Sequence, residues 1–135
     1  MTTFITNSGL ELDVVPVSQV GLRNLMFGGG AMRKVFSGGV NGNTAEVMAK
    51  ISEKLTQQEA VQLGQDGVRL YNYVCSYGVT TDPPEDALEE LAAIGYDLGN
   101  PRVARMRWLQ LLVLDEEDSK NLLGEIIRIT FKQGE

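Results

Sequence analysis

From residue 43 onward the chain carries a succession of helix-start signals, and these constrain its fold more than anything else in it. Asn43 with Glu46, and Thr56 with Glu59, have the spacing of a capping box. In that motif a short polar side chain and a glutamate three residues later satisfy each other's free backbone N–H groups. Asp82-Pro83-Pro84-Glu85 combines an aspartate suited to capping, a proline suited to the first helical position and a glutamate for the first turn. Asn100-Pro101 repeats the polar-then-proline start.

Apolar residues follow these starts at helical spacing. The first helix expected here carries Val47, Met48, Ile51 and Leu55. The second reaches about Tyr77 with Val61, Leu63, Val68, Leu70, Tyr71, Val74 and Cys75, and Gly78 ends it. Gly64 and Gly67 weaken that helix by roughly 1 kcal/mol each against Ala and would let another helix approach closely. Leu88, Leu91, Ala92 and Ile94 follow Glu85, with Gly95 as a C-terminal stop. A further helix runs from Pro101 through Leu114. The acidic run Asp115 to Asp118 separates it from a last helix bearing Leu122, Leu123, Ile126, Ile127 and Thr130.

The N-terminus reads differently. Phe4-Ile5-Thr6 and Leu10 to Val14 are short strand-like runs around the turn cluster Asn7-Ser8-Gly9. Leu10, Leu12 and Val14 alternate with Glu11 and Asp13, the pattern of a half-buried strand, and Pro16 ends it. Ser18 can cap a short helix through about Phe27, with Val20, Leu22, Leu25 and Met26 as its apolar positions. The expected fold class is therefore mainly α. It is a single compact domain of about five or six helices over 1–135, a size usual for one domain. A β-hairpin occupies 1–17, a flexible Gly-rich loop 28–43 and a helical body 44–131.

Composition narrows the function. The chain has no histidine and one cysteine, Cys75. No intramolecular disulfide is possible. The Ser-His-Asp triad, the Cys-His dyad and most transition-metal sites are excluded together. Twelve basic residues against eighteen acidic ones give a net charge of −6, which disfavours general attraction to nucleic acid or an anionic membrane. No apolar run approaches the ~18 residues of a membrane span. The opening MTTFITNSG lacks the basic-then-apolar pattern of a signal peptide, so the expected location is the cytoplasm of the cell that makes the protein.

The stretch FGGGAMRKVFSGGVNG, from Phe27 to Gly42, invites a phosphate-binding interpretation. A Walker loop needs Gly-Lys-Ser/Thr after its glycines, and that sequence occurs nowhere in the chain. A dinucleotide site needs a parallel βαβ unit, which is also missing from the pattern. Clustered glycines instead keep a segment conformationally open. Met26, Phe27, Met32 and Phe36 are spread through it, and Arg23, Arg33 and Lys34 are basic in a region with no acidic residue between Asp13 and Glu46. Two readings stand: an apolar, locally basic arm that orders on a partner, or a loop whose Phe27 and Phe36 tuck back into the core.

Other motifs have structural explanations. Arg102, Arg105 and Arg107 lie on the helix that contains Trp108. Such a helix suits DNA recognition, but the acidic run beginning at Asp115 opposes it, leaving arginines that pair with nearby carboxylates around a core tryptophan. An EF-hand loop starting at Asp115 would need glycine and glutamate where Lys120 and Ile126 stand, so this run reads as a helix cap. Glu89-Glu90 forms a solvated face. Tyr71, Tyr73 and Tyr77 read as core packing with hydroxyls at the edge, with Tyr73 or Tyr77 as an alternative interface contact. Cys75 sits in an apolar stretch and reads as inert.

The stretches GLELDVVPV, LYNYVCSYGVTTDPPEDALEELAAIG, RVARMRWLQLLV and LLGEIIRITF, with the low-order segment around 28–43, appear in an order that resembles the tail assembly chaperones of long-tailed, siphovirus-type bacteriophages. The resemblance covers most of the chain. It implies a non-enzymatic helper without cofactor or metal. Such a helper acts in the host cytoplasm, binds the tape-measure protein, helps recruit tail-tube subunits and is absent from the finished virion. The alternative is a structural virion component such as a connector, neck or minor tail protein. A holdase needs exposed apolar surface for its client and net charge for its own solubility. On that basis Met26, Phe27, Met32 and Phe36 are the expected contacts, with Arg33 and Lys34 steering. Spare apolar surface would also allow homo-oligomers.

Overall fold

A hairpin laid along the last helix organises the molecule. The computed structural model describes residues 2–28 and 57–132. The expected helix over 44–55, and all of the Gly-rich loop except Gly28, lie outside the described residues. Within them the protein is mainly helical with a short antiparallel hairpin at its N-terminus, as the capping pattern implies. The elements are β1 (Thr2–Ile5), β2 (Glu11–Val14), α1 (Gln19–Phe27), α2 (Gln57–Tyr77), α3 (Glu85–Ala93), α4 (Pro101–Trp108), a π-helical turn (Leu109–Val113) and α5 (Glu116–Lys132).

β1 and β2 pair in the register Phe4 with Leu12 and Thr2 with Val14. Leu12 and Val14 point into the core and are fully buried, each contributing about 1.5–3 kcal/mol of burial. Leu10 departs from the expected alternation. It lies in the turn, not in β2, and is exposed. The other edge of β2 is covered by the chain leaving α2. Val15 N–H donates to Gly78 C=O, and Thr80 N–H donates to Asp13 C=O, both at 2.9 Å. The hairpin edge is thereby paired with backbone instead of being left open to a second chain.

Two polar clamps fasten the hairpin to the ends of α5. At the turn, Asn7 N–H donates to Asp118 Oδ1 at 2.9 Å and Asn7 Nδ2 donates to Asp115 Oδ2 at 3.0 Å. Past β2, Val17 N–H donates to the Thr130 hydroxyl at 3.1 Å and Gln19 Nε2 donates to Thr130 C=O at 3.1 Å. The acidic run is a cap, as expected. Asp118 N–H donates to Asp115 Oδ1 at 2.7 Å, and Asp115 N–H donates back to Asp118 Oδ2 at 3.3 Å. This is a capping box with aspartate in the place of glutamate.

Ser18 caps α1 by accepting from Gly21 N–H at 3.1 Å. The inward stripe of α1 is Leu22 and Met26, while Val20 faces solvent. α2 buries Leu63, Leu70, Val74 and Cys75 and exposes Val61 and Val68. Gly64 and Gly67 do not mark a close helix contact: a Cβ added at either would meet nothing within 4 Å. The close approach is at Gly78, where a Cβ would fall 2.6 Å from Ile126 Cδ1 and 2.7 Å from Val74 C=O. The end of α2 therefore packs backbone-first against α5.

Asp82 is not a helix cap. α3 starts two residues later than the motif suggests, with Pro84 at the cap position and no side-chain cap bond. A proline disfavours helical geometry in the residue before it, so Pro84 keeps Pro83, and Pro83 keeps Asp82, out of the helix. The first turn is supported by the charges of Glu85 and Asp86. At the other end Gly95 adopts a φ of +100°, which only glycine takes without strain. Gly95 N–H donates to Ala92 C=O and Tyr96 N–H to Leu91 C=O, a Schellman ending. α4 begins as expected: Asn100 Oδ1 accepts from Arg102 N–H and Val103 N–H.

Candidate functional site

The structure separates the expected contact residues. Met26 is not a surface contact: it is fully buried in the core beside Leu22. The two are four residues apart on α1, so both fall on the stripe that faces inward. Phe27 is half-buried and packs against that core. Met32, Arg33, Lys34 and Phe36 lie outside the described residues.

The arginines around Trp108 use mainly aromatic partners. Of these, only Arg105 meets a carboxylate among the described residues, with Nη2 3.1 Å from Asp82 Oδ1. Arg102 lies over the Tyr77 ring at 4.8 Å from its centroid, and Arg107 over Tyr96 at 5.1 Å. A guanidinium is planar and weakly hydrated, so it stacks on a ring face where a lysine would not. Trp108 is buried, as its place among the arginines suggested. The same pairing recurs at α1, where Arg23 lies over Phe131 at 5.3 Å.

The turn after Trp108 changes what the surface offers. A continuous α-helix would put residues three and four after Trp108, Leu111 and Leu112, on the buried face. The chain instead widens. Leu114 N–H donates to Leu109 C=O at 2.8 Å, an i→i+5 closure that holds one more residue per turn. The inward positions one turn after Trp108 and Leu109 therefore become Val113 and Leu114, which pack against the core. Leu111 and Leu112 are left 48% and 40% exposed. Gln110 fastens the wide turn by donating from Nε2 to Asn72 Oδ1 at 2.8 Å. The expected helix through Leu114 thus ends as regular α at Trp108. Nothing in the spacing of Leu109 to Leu114 signals the change, because a run of apolar residues fits either turn.

The titratable groups nearby are held in their neutral forms. Burial pushes the Cys75 thiol up to about 12, so little nucleophilic thiolate exists near neutral pH. Burial likewise raises Tyr71 to about 12, partly offset by its hydrogen bond to the Ser119 hydroxyl at 2.7 Å. Among the described residues no three His, Cys, Asp or Glu side chains converge as a metal set. No described helix is long and apolar enough to cross a membrane. The arrangement offers contact surface, with buried polar groups that serve packing. The chain matches no protein-family model, no curated protein and no solved structure.

Proposed function

We propose that this protein is a non-enzymatic assembly chaperone of the long-tailed phage type. It binds the tape-measure protein and helps recruit tail-tube subunits in the host cytoplasm. The observation that carries the proposal is the outward-facing Leu111-Leu112 pair, presented by a π turn on a chain of net charge −6. Two adjacent exposed leucines form a small apolar surface that a partner can cover, and π turns are frequent at functional sites. Apolar contact residues on an acidic surface are what a holdase requires. The order of the sequence stretches described above supports the phage assignment, and the absence of histidine supports a role without catalysis.

The test is co-expression with the tape-measure protein of the same phage, followed by size exclusion with light scattering. A soluble complex is expected where the tape-measure protein alone aggregates, and Leu111→Ser with Leu112→Ser should weaken it. If the client still aggregates and this protein elutes alone, the proposal fails. Finding the chain in purified particles would then favour a structural virion component.

A further inference from the structure

A cleft of 540 Å³ opens between the end of α2 and the start of α4, lined in part by Ser76, Tyr77, Thr80, Asn100, Arg102 and Arg105. We propose that it binds a carboxylate side chain presented by another protein, and that Asp82 holds its place until then. The proposal does not depend on the assembly-chaperone assignment.

Two arginines line the cleft, on a chain whose net charge is negative. Arg105 is anchored, with 15% of its side chain exposed, whereas Asp82 is 84% exposed. The pair is therefore asymmetric: a fixed cation meets a carboxylate that water can replace at little cost. The contact is also incomplete. Among the described residues Asp82 Oδ1 takes only Nη2, and Arg105 Nε is buried without a partner. On a guanidinium, Nε–H and one Nη–H share an edge that fits the two oxygens of a carboxylate. Half of that edge is unused. Arg102 adds a second positive charge, stacked on Tyr77 and paired with no carboxylate among the described residues. Tyr77 is itself half-exposed, giving an arriving side chain an apolar wall.

Chemistry selects carboxylate over phosphate. A phosphate at a helix start draws on free backbone N–H groups. Here Asn100 Oδ1 already accepts from Arg102 N–H and Val103 N–H. Recognition is left to the arginine side chains, and the group that one of them now holds is a carboxylate.

The experiment follows the arginine Nε–H signals by NMR while a blocked glutamate hexapeptide is added. A glutamine hexapeptide and inorganic phosphate serve as comparisons at matched ionic strength. The glutamate peptide should shift the Arg105 and Arg102 signals and the glutamine peptide should not. Asp82→Ala removes the placeholder and should tighten binding by up to about fivefold, the most an exposed ion pair can resist. Arg105→Gln should abolish binding. Arg102 is exposed and outside the core, so Arg102→Gln weakens binding without threatening the fold. The proposal is overturned if neither wild type nor Asp82→Ala responds, if glutamine serves as well, or if phosphate binds as tightly. Binding that Asp82→Ala leaves unchanged removes Asp82 from the placeholder role.

Discussion

The chain contains two Leu-Leu pairs in consecutive helical segments, and they meet opposite fates. Leu122 is fully buried and Leu123 packs against the core, while Leu111 and Leu112 face solvent. Side-chain chemistry is identical, so hydrophobicity does not decide. The difference is the turn. α5 keeps regular α geometry through Lys132, and Leu122, Ile126 and Ile129 recur on one face. After Trp108 the i→i+5 closure rotates the next residues by one position. One extra residue in a turn is enough to carry a leucine pair from core to surface.

The largest effect should come from cutting into the buried pair. Leu122→Ala should cost about 2–5 kcal/mol by denaturant unfolding, whereas Leu112→Ala should stay within about 0.5 kcal/mol. Equal losses would mean that Leu112 is core and would break the comparison. The same contrast holds for two glycines of α2 and its end. Gly78→Ala forces a Cβ against Ile126 and the Val74 carbonyl and should cost about 1–3 kcal/mol. Gly64→Ala enters open space in a helix interior and should stabilise by up to about 1 kcal/mol.

Smaller effects sharpen the picture of how α5 is held. The Asn7 amide, together with the Asp118 N–H, holds the Asp115 carboxyl below its usual range. A carboxyl depressed in the folded state stabilises above its unfolded value of about 3.9, and this is lost as pH falls through the lower folded value. Asp115→Asn should flatten the acid limb of a stability–pH curve below about pH 4; an unchanged limb would remove the clamp from the account. On the alkaline side the sign reverses. Cys75 and Tyr71 are both raised to about 12, so the folded state holds protons that the unfolded chain releases from about pH 8.5 upward, and stability should fall as pH rises toward 12. Smallest of all, Cys75 should resist a thiol reagent at pH 8 in folded protein and react on unfolding in urea. Equal rates would mean that α2 opens readily near Cys75.

Local chemistry carried much of the fold. The Ser18 cap, the Asn100-Pro101 start, the Asp115 cap and the Gly95 stop each stand where their residue types predict, because capping is settled within one helical turn. Sequence was misleading at Asp82, whose partner lies twenty-three residues away in Arg105, and at Met26, where an apolar residue beside a glycine stretch gives no sign of which way it faces. Of the candidate surfaces, Tyr77 and the pair Arg102 and Arg105 were visible as separate features, but nothing in their spacing puts them around one cleft. The Leu111-Leu112 exposure had no signal at all.

The caps at Ser18, Asn100 and Asp115, the Gly95 stop and the exclusion of histidine chemistry were thus determined by the sequence alone, since each depends on residues within a few positions or on composition. The tertiary structure decided the rest: which leucines face water, which arginine finds a carboxylate and which glycine is pressed against a neighbour. Those outcomes depend on how α2, α4 and α5 pack, and packing is set by distances between segments that no local pattern encodes.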